Sequence, residues 1–177
     1  MEVNIDILKH FFESPNQGFL IRELAKKTKI NHTTVRKYIL YYLKEDVLCQ
    51  KKGKPYALFL ANQGSKKYKN LKLYYNLEKI RNSNLIEDLE KAYDLPVIVL
   101  FGSYTLARDD TSSDIDICLI SNVDKEFQTN KYEKSLNRKI SLHKFSENSW
   151  DKAKKSNPNL INNICNGIVL SGELVVL

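Results

Sequence analysis

The sequence predicts an α+β chain built from two modules with helix between them. Three observations carry that expectation. Helical periodicity fills residues 5–43 and then gives way to two short apolar runs. A proline-free stretch rich in Lys, Leu, Glu and Asn follows over 65–93. Beyond Pro96, strand-like and helix-like patterns alternate.

The elements follow in order. Ile5, Leu8, His10, Phe11 and Phe12 recur at helical spacing, and the cluster Ser14-Pro15-Asn16-Gln17-Gly18 turns the chain. Leu20, Ile21, Leu24 and Ala25 mark a short second helix that ends near Thr28. Asn31 is a good N-cap for a third helix, in which Val35, Ile39, Tyr42 and Leu43 share one face. The stretch VLCQKKGKPYALFL then reads as two strands joined by Lys52-Gly53-Lys54-Pro55, where glycine tolerates positive φ and proline fixes φ. Three helices and a hairpin are the order of a winged helix-turn-helix, assigned to residues 1–62. A helical connector, 63–95, is expected to break around Asn82-Ser83-Asn84 and to stop at Pro96.

The remaining module, 96–177, predicts a strand at 97–101, a glycine turn, a strand at 113–121, a helix over about 125–138 and a strand at 139–145. Pro158 opens a last helix to about Asn166, Gly167 caps it, and 168–170 and 174–177 read as short terminal strands.

Charge is distributed unevenly. The 177 residues carry a formal +7. Residues 1–62 hold eleven Lys or Arg against six Asp or Glu, whereas 96–177 hold ten of each, so the basic excess lies in the N-terminal module. A polyanionic partner is therefore expected there. Cys49, Cys118 and Cys165 are odd in number and far apart, with no Cys-x-x-Cys pair, which argues against a disulfide framework or zinc site and for reduced thiols. Glu2 and Asp6 stand where a secretory signal needs bases, and the longest apolar run, 95–101, is far too short for a bilayer. The expected location is cytoplasmic, with no membrane partner.

The chemistry is concentrated in FGSYTLARDDTSSDIDICLI, residues 101–120. Gly102-Ser103 directly follows a buried-type strand, and Asp114-Ile115-Asp116 comes after ten intervening residues. Strand residues i and i+2 face one side, so the two carboxylates point together while Ile115 and Ile117 turn to the core. Two like charges so close favour a cation between them. Mg²⁺ suits the place, because it takes one or two carboxylates and completes its shell with phosphate oxygens and water. Gly102 allows close backbone approach to a phosphate, and the Ser103 hydroxyl and nearby amides are donors for its oxygens. Arg108, Asp109 and Asp110 read as surface charge.

In this stretch the chain resembles the DNA polymerase β nucleotidyltransferase superfamily, and in particular its minimal nucleotidyltransferase branch, whose signature is Gly-Ser, ten residues, then Asp-x-Asp. The resemblance covers about 96–177 and implies a mixed sheet flanked by helices. It also implies an enzyme that transfers a nucleoside monophosphate from a nucleoside triphosphate, ATP being the expected one, to a hydroxyl, with two Mg²⁺ ions. Asp114 and Asp116 would be catalytic and hold the metals, while Gly102 and Ser103 would bind the nucleotide. Two departures stand out. Ala107 occupies the place of a second glycine found in many members. Ser141 occupies the place of the third carboxylate, within Arg138-Lys139-Ile140-Ser141-Leu142-His143. Ser141 itself and His143, on the same strand face, are the candidates to replace it, with Glu147 more distant. Small members often act on a partner toxin, so a protein acceptor leads by analogy. The alternative is a DNA-binding regulator or antitoxin-like protein whose nucleotidyltransferase domain is weak or silent.

The segment FLIRELAKKTKINHTTVRKYILYYLKEDV resembles the winged helix-turn-helix domains of prokaryotic regulators. Thr33, Thr34, Lys37 and Tyr41 would face outward from the third helix, with Arg36 on its flank, as a reader of base edges requires. Lys26, Lys27 and Lys29, and Lys51, Lys52 and Lys54 from the wing, would meet phosphates. DNA, less readily RNA, is the expected partner, and a homodimer is consistent with the class.

Overall fold

The computed structural model describes residues 2–53 and 56–175. Lys54 and Pro55, and the Val176–Leu177 end of the expected terminal strand, lie outside the described residues. The chain divides into two compact units, Met1–Tyr75 and Asn76–Leu177.

In the first unit, α1 (Ile5–Glu13) starts where the Asn4 side chain accepts the Ile7 N–H at 3.1 Å. Its buried face is Ile7, Leu8, Phe11 and Phe12. α2 (Ile21–Thr28) stops as Lys29 turns to φ 58°. α3 (His32–Lys44) begins at the expected cap: Asn31 Oδ1 accepts the Thr33 N–H at 2.8 Å. Val35, Ile39 and Tyr42 are fully buried, and the Tyr42 hydroxyl accepts the Asn4 N–H at 2.8 Å. That burial pushes the phenol up to about 12.

Strands β1 (Leu48–Lys51) and β2 (Leu58–Ala61) pair antiparallel, Leu48 opposite Ala61. Phe19, between α1 and α2, adds a bridge to Phe59 with N–H···O distances of 2.8 and 3.0 Å. Gly53 is required for a different reason from the expected one. Its φ lies outside the left-handed region, but a Cβ there would stand 2.5 Å from the Tyr56 carbonyl oxygen. Phe11, Phe12, Phe19 and Tyr68 join the helices and hairpin in one apolar core, in which the Tyr68 hydroxyl donates to the Phe11 carbonyl at 3.0 Å.

The stretch expected to form a connector is shared between the units. α4 (Lys66–Arg81) supplies Tyr68 to the first core and Ile80 to the second. It is separated from α5 (Leu85–Tyr93) by Asn84 at φ 60°, in the expected tripeptide. Asp94 and Leu95, both in the left-handed region, lead into the sheet.

The second unit holds β3 (Val97–Phe101), β4 (Ile115–Ile120), β5 (Ile140–Phe145) and β6 (Ile168–Ser171) in the order β5-β4-β3-β6. β3 runs antiparallel to β4 and β6. β4 and β5 are parallel, joined by a crossover through α6 (Asn130–Leu136). The sheet is therefore mixed, as expected. Alternation along the strands feeds two cores. Ile98, Leu100, Ile115, Ile117 and Leu119 pack with Ile86, Leu89 and Tyr132. Val99, Phe101, Cys118 and Ile120 pack with Trp150, Ile161 and Ile164 of α7 (Glu147–Ser156) and α8 (Pro158–Cys165). Among the described residues no helix is long and apolar enough to cross a membrane. The three cysteines are free; Cys118 is buried and Cys49 exposed.

Three expectations need correction. The helix of the crossover starts at Asn130, five residues later than about Lys125. α7 has no counterpart among the expected elements, because its ten residues carry a single large apolar side chain, Trp150; its start is a Ser146–Ser149 capping box. After β6, Leu174 and Val175 do not continue as strand.

Candidate functional site

The site is built where β3 ends and β4 begins. Gly102 has φ +77°, and a Cβ placed on it would collide with the Asp116 carboxylate. Glycine is needed there both for its backbone and for its missing side chain. Gly102–Tyr104 form one 3₁₀ turn, held by the Thr105 hydroxyl donating to the Gly102 carbonyl at 2.9 Å. No α-helix follows before β4. The chain instead turns at Ala107, which is buried and sits at φ 52°, where a glycine would be unstrained. The Arg108 N–H returns to the Ser103 carbonyl at 3.0 Å.

The loop from this turn to β4 is held at both ends. Asp109, expected at the surface, is only 2% exposed; its carboxylate accepts the Asn76 side-chain N–H at 2.8 Å. The same Asn76 amide donates to the Tyr104 carbonyl at 3.3 Å, so one side chain fastens the turn and the loop. Asp110 accepts the backbone N–H and hydroxyl of Ser112 at 2.9 and 2.7 Å, and its own N–H donates to the Ser113 hydroxyl at 3.0 Å.

Asp114 stands one residue before β4 and is exposed; Asp116 is the second residue of the strand and half-buried. Ile115 and Ile117 are buried as expected. Burial lifts the Asp116 carboxyl above its ordinary range. The imidazole of His143 opposes the shift and the charge of Asp114 adds to it. On one side Asp116 pairs in register with Phe101 and on the other with Ser141. The residue in the third-carboxylate place is thus directly beside Asp116 on a parallel strand. Its Oγ lies 3.1 Å from His143 Nε2, and the His143 ring meets Phe101 edge-on at 5.3 Å.

These residues fit a divalent cation that arrives with a nucleotide. Among the described residues no group of three or more His, Cys, Asp and Glu is arranged to hold a metal ion. The chain offers two carboxylates, which is what Mg²⁺ takes when phosphates supply the remaining oxygens. The gap left by Gly102 keeps the backbone open beside them.

Residues 82–157 match the family model of the nucleotidyltransferase domain. That segment contains Gly102, Ser103, Asp114, Asp116, Ser141 and His143. No curated protein matches the chain. Beside Asp114 the second unit also carries an open groove of about 820 Å³ that sequence reasoning missed. Ser112, Asn130, Lys134 and Lys139 are among its walls. Its residues come from a loop, a helix and a strand entry, so no short motif marks it.

In the first unit Thr33, Thr34, Arg36 and Lys37 are exposed on α3, as are Lys51 and Lys52 on the hairpin. Lys54 falls outside the described residues. Tyr41 is a correction: it is half-buried, its ring 5.6 Å from that of Tyr42. Lys27 is partly engaged, 3.5 Å from Glu23 and 5.4 Å from the Phe19 ring centroid. Arg22, not anticipated, is exposed at the start of α2, 5.8 Å from the Tyr56 ring.

Proposed function

We propose that the chain is a Mg²⁺-dependent nucleotidyltransferase whose N-terminal unit is a DNA-binding winged helix-turn-helix. The observation that carries the catalytic half is the Gly102 turn closed against Asp116, with Asp114 two residues before it. Gly102 and Ser103 receive the triphosphate of ATP or a related nucleotide. Asp114 and Asp116 would hold the metal, which when bound would neutralise phosphate charge and favour the attacking oxygen. The hydroxyl oxygen of the acceptor attacks the α-phosphorus, the α–β anhydride bond breaks, and pyrophosphate leaves with the electron pair. His143, through its hydrogen bond to Ser141, receives the proton. The DNA-binding half is supported by Thr33, Thr34, Arg36 and Lys37 on the exposed face of α3 and by Lys51 and Lys52 on the hairpin.

A second reading, a DNA-binding regulator with a silent nucleotidyltransferase domain, is favoured by one observation: Ser141, not a carboxylate, pairs with Asp116. Label transfer from α-phosphate-labelled ATP with Mg²⁺ or Mn²⁺ separates the two. A labelled product that disappears in Asp114→Ala/Asp116→Ala supports the enzyme. Nucleotide binding without any labelled product supports the regulator.

A further inference from the structure

We infer that the first unit holds a site for a small aromatic carboxylate, in the cavity bordered by the start of α2, the start of α3 and the residues leading into β2. The cavity measures about 380 Å³. It lies wholly within the first unit and uses none of the chemistry of Asp114 and Asp116. The bridge between Phe19 and Phe59 ties the chain entering α2 to β2, so the first turn of the helix and the approach to the strand border one space.

The walls set the class of ligand. Leu20, Ile21, Ala57 and Phe59 make the cavity apolar, and the Tyr56 ring adds a flat face at its rim. Tyr56 is 58% exposed, an aromatic surface that folding leaves uncovered. The polar groups are few and of one kind. Arg22 is exposed, and among the described residues its guanidinium pairs with no carboxylate; it stands 5.8 Å from the Tyr56 ring centroid. His32, the first residue of α3, is also exposed and carries an N–H in either tautomer. Among the described residues no acid borders the cavity.

A mostly apolar cavity with a few convergent donors is the usual form of a small-molecule site, and this one falls at the small end of the common range of about 300–1,000 Å³. One or two fused rings fill it. The guanidinium fork matches a carboxylate in two parallel hydrogen bonds, and its plane beside Tyr56 continues the flat surface on which an aromatic ring rests. A sugar or a bare phosphate would leave the apolar walls uncovered, and an uncharged hydrocarbon would leave Arg22 without a counter-charge. Residues 1–62 carry eleven bases against six acids, so an anion is drawn to this unit in preference to a cation. Because His32 opens α3 and Tyr56 follows the hairpin tip, an occupant touches both the helix that carries Thr33 and Thr34 and the hairpin that carries Lys51 and Lys52.

The test uses the full chain, 2-naphthoate as the probe and naphthalene-2-carboxamide, its uncharged counterpart, as the control. Affinity is read by titration calorimetry and the site by amide chemical shifts. The carboxylate is expected to bind about tenfold or more tighter than the carboxamide, with shifts at residues 20–22, 32 and 56–59. Arg22→Gln is expected to remove that advantage, since a hydrogen bond to a charged group is lost, while leaving the carboxamide as it was. Tyr56→Ala is expected to weaken both probes about threefold or more by removing the ring face. Both side chains are exposed, so the fold survives either change. Equal binding of the two probes, an affinity unchanged in Arg22→Gln, shifts confined to other residues, or no binding of the carboxylate would each overturn the assignment. A dimer of the chain that 2-naphthoate dissociates would make a second copy the natural occupant and overturn it as well.

Discussion

Replacing Ser141 by Asp restores a carboxylate to the strand position that pairs with Asp116. Paired strands lie about 4.8 Å apart, so the new carboxylate would sit within reach of a cation held at Asp116. General-base or metal-bridging help of this kind contributes on the order of 10²–10⁴ in rate. Without metal the same change should destabilise the domain. Two charges about 5 Å apart at an effective dielectric of about 20 repel by about 3 kcal/mol, less when one turns to solvent as half-buried Ser141 permits. Asp116, whose carboxyl burial already lifts, would be pushed further. The expected signature is therefore double: a lower melting temperature in EDTA that Mg²⁺ with nucleotide restores, and a rise in kcat of one hundredfold or more in α-label transfer. Ser141→Asn, similar in size but uncharged, should give neither. If Ser141→Asp binds nucleotide as the parent does and turns over no faster, the position beside Asp116 is not where the proton or first metal is handled.

Three further outcomes can be checked on the same protein. Ala107→Gly relieves a left-handed alanine worth about 1–2 kcal/mol and gives back about 0.4–1 kcal/mol to the unfolded chain's freedom. A net gain of up to about 1.6 kcal/mol in urea unfolding is expected from these terms, and a loss would mean that the buried methyl packs better than its backbone is strained. His10 is held below its ordinary pKa of 6.5 by burial and by the charges of Lys27 and Lys9, and its Nε2 is buried with no hydrogen-bond partner among the described residues. The unfolded chain then binds the extra proton first, so stability is lost as pH falls below 6.5. His10→Gln should show a smaller loss between pH 7.5 and 5, and an unchanged profile would assign the acid sensitivity elsewhere. Lys37→Ala should weaken DNA binding and relax its sequence preference while nucleotide binding holds; a change in nucleotide affinity would contradict the separate roles given to the two units.

The elements that sequence located well are those whose ends are marked by chemistry. Asn31 caps α3, Asn84 breaks the long helix, and the apolar 97–101 run is β3 with almost every residue buried. α7 was illegible because a helix covering a sheet with one tryptophan has almost no period to read, and its Ser146–Ser149 box lacks the usual Glu or Gln. The long helix reads as a connector because its apolar residues serve two cores in succession, Tyr68 in one and Ile80 in the other, and no single face runs its length.

The site was legible as a motif and illegible as a mechanism, for a physical reason. Gly102 and Asp116 are fourteen residues apart, yet each explains the other: the missing Cβ is the space the carboxylate occupies. The ten residues between Ser103 and Asp114 look like loop filler in the sequence. In the fold they are an anchored span, with Asp109 buried on Asn76 and Asp110 gathering Ser112 and Ser113. The spacing of the motif is thus the length of chain needed to leave β3, pass that anchor and return on the neighbouring antiparallel strand. Register does the rest. Once β4 and β5 align in parallel, the side chain opposite Asp116 is fixed as Ser141, and only then does its 3.1 Å contact with His143 acquire meaning. Two carboxylates, one of them reluctant to ionise, make a poor cage for a bare cation. On the proposed transferase reading, affinity for metal would come largely from phosphates received at the Gly102 turn, nucleotide and cation would bind as one event, and Ser141 would be the residue on which the rate of transfer depends.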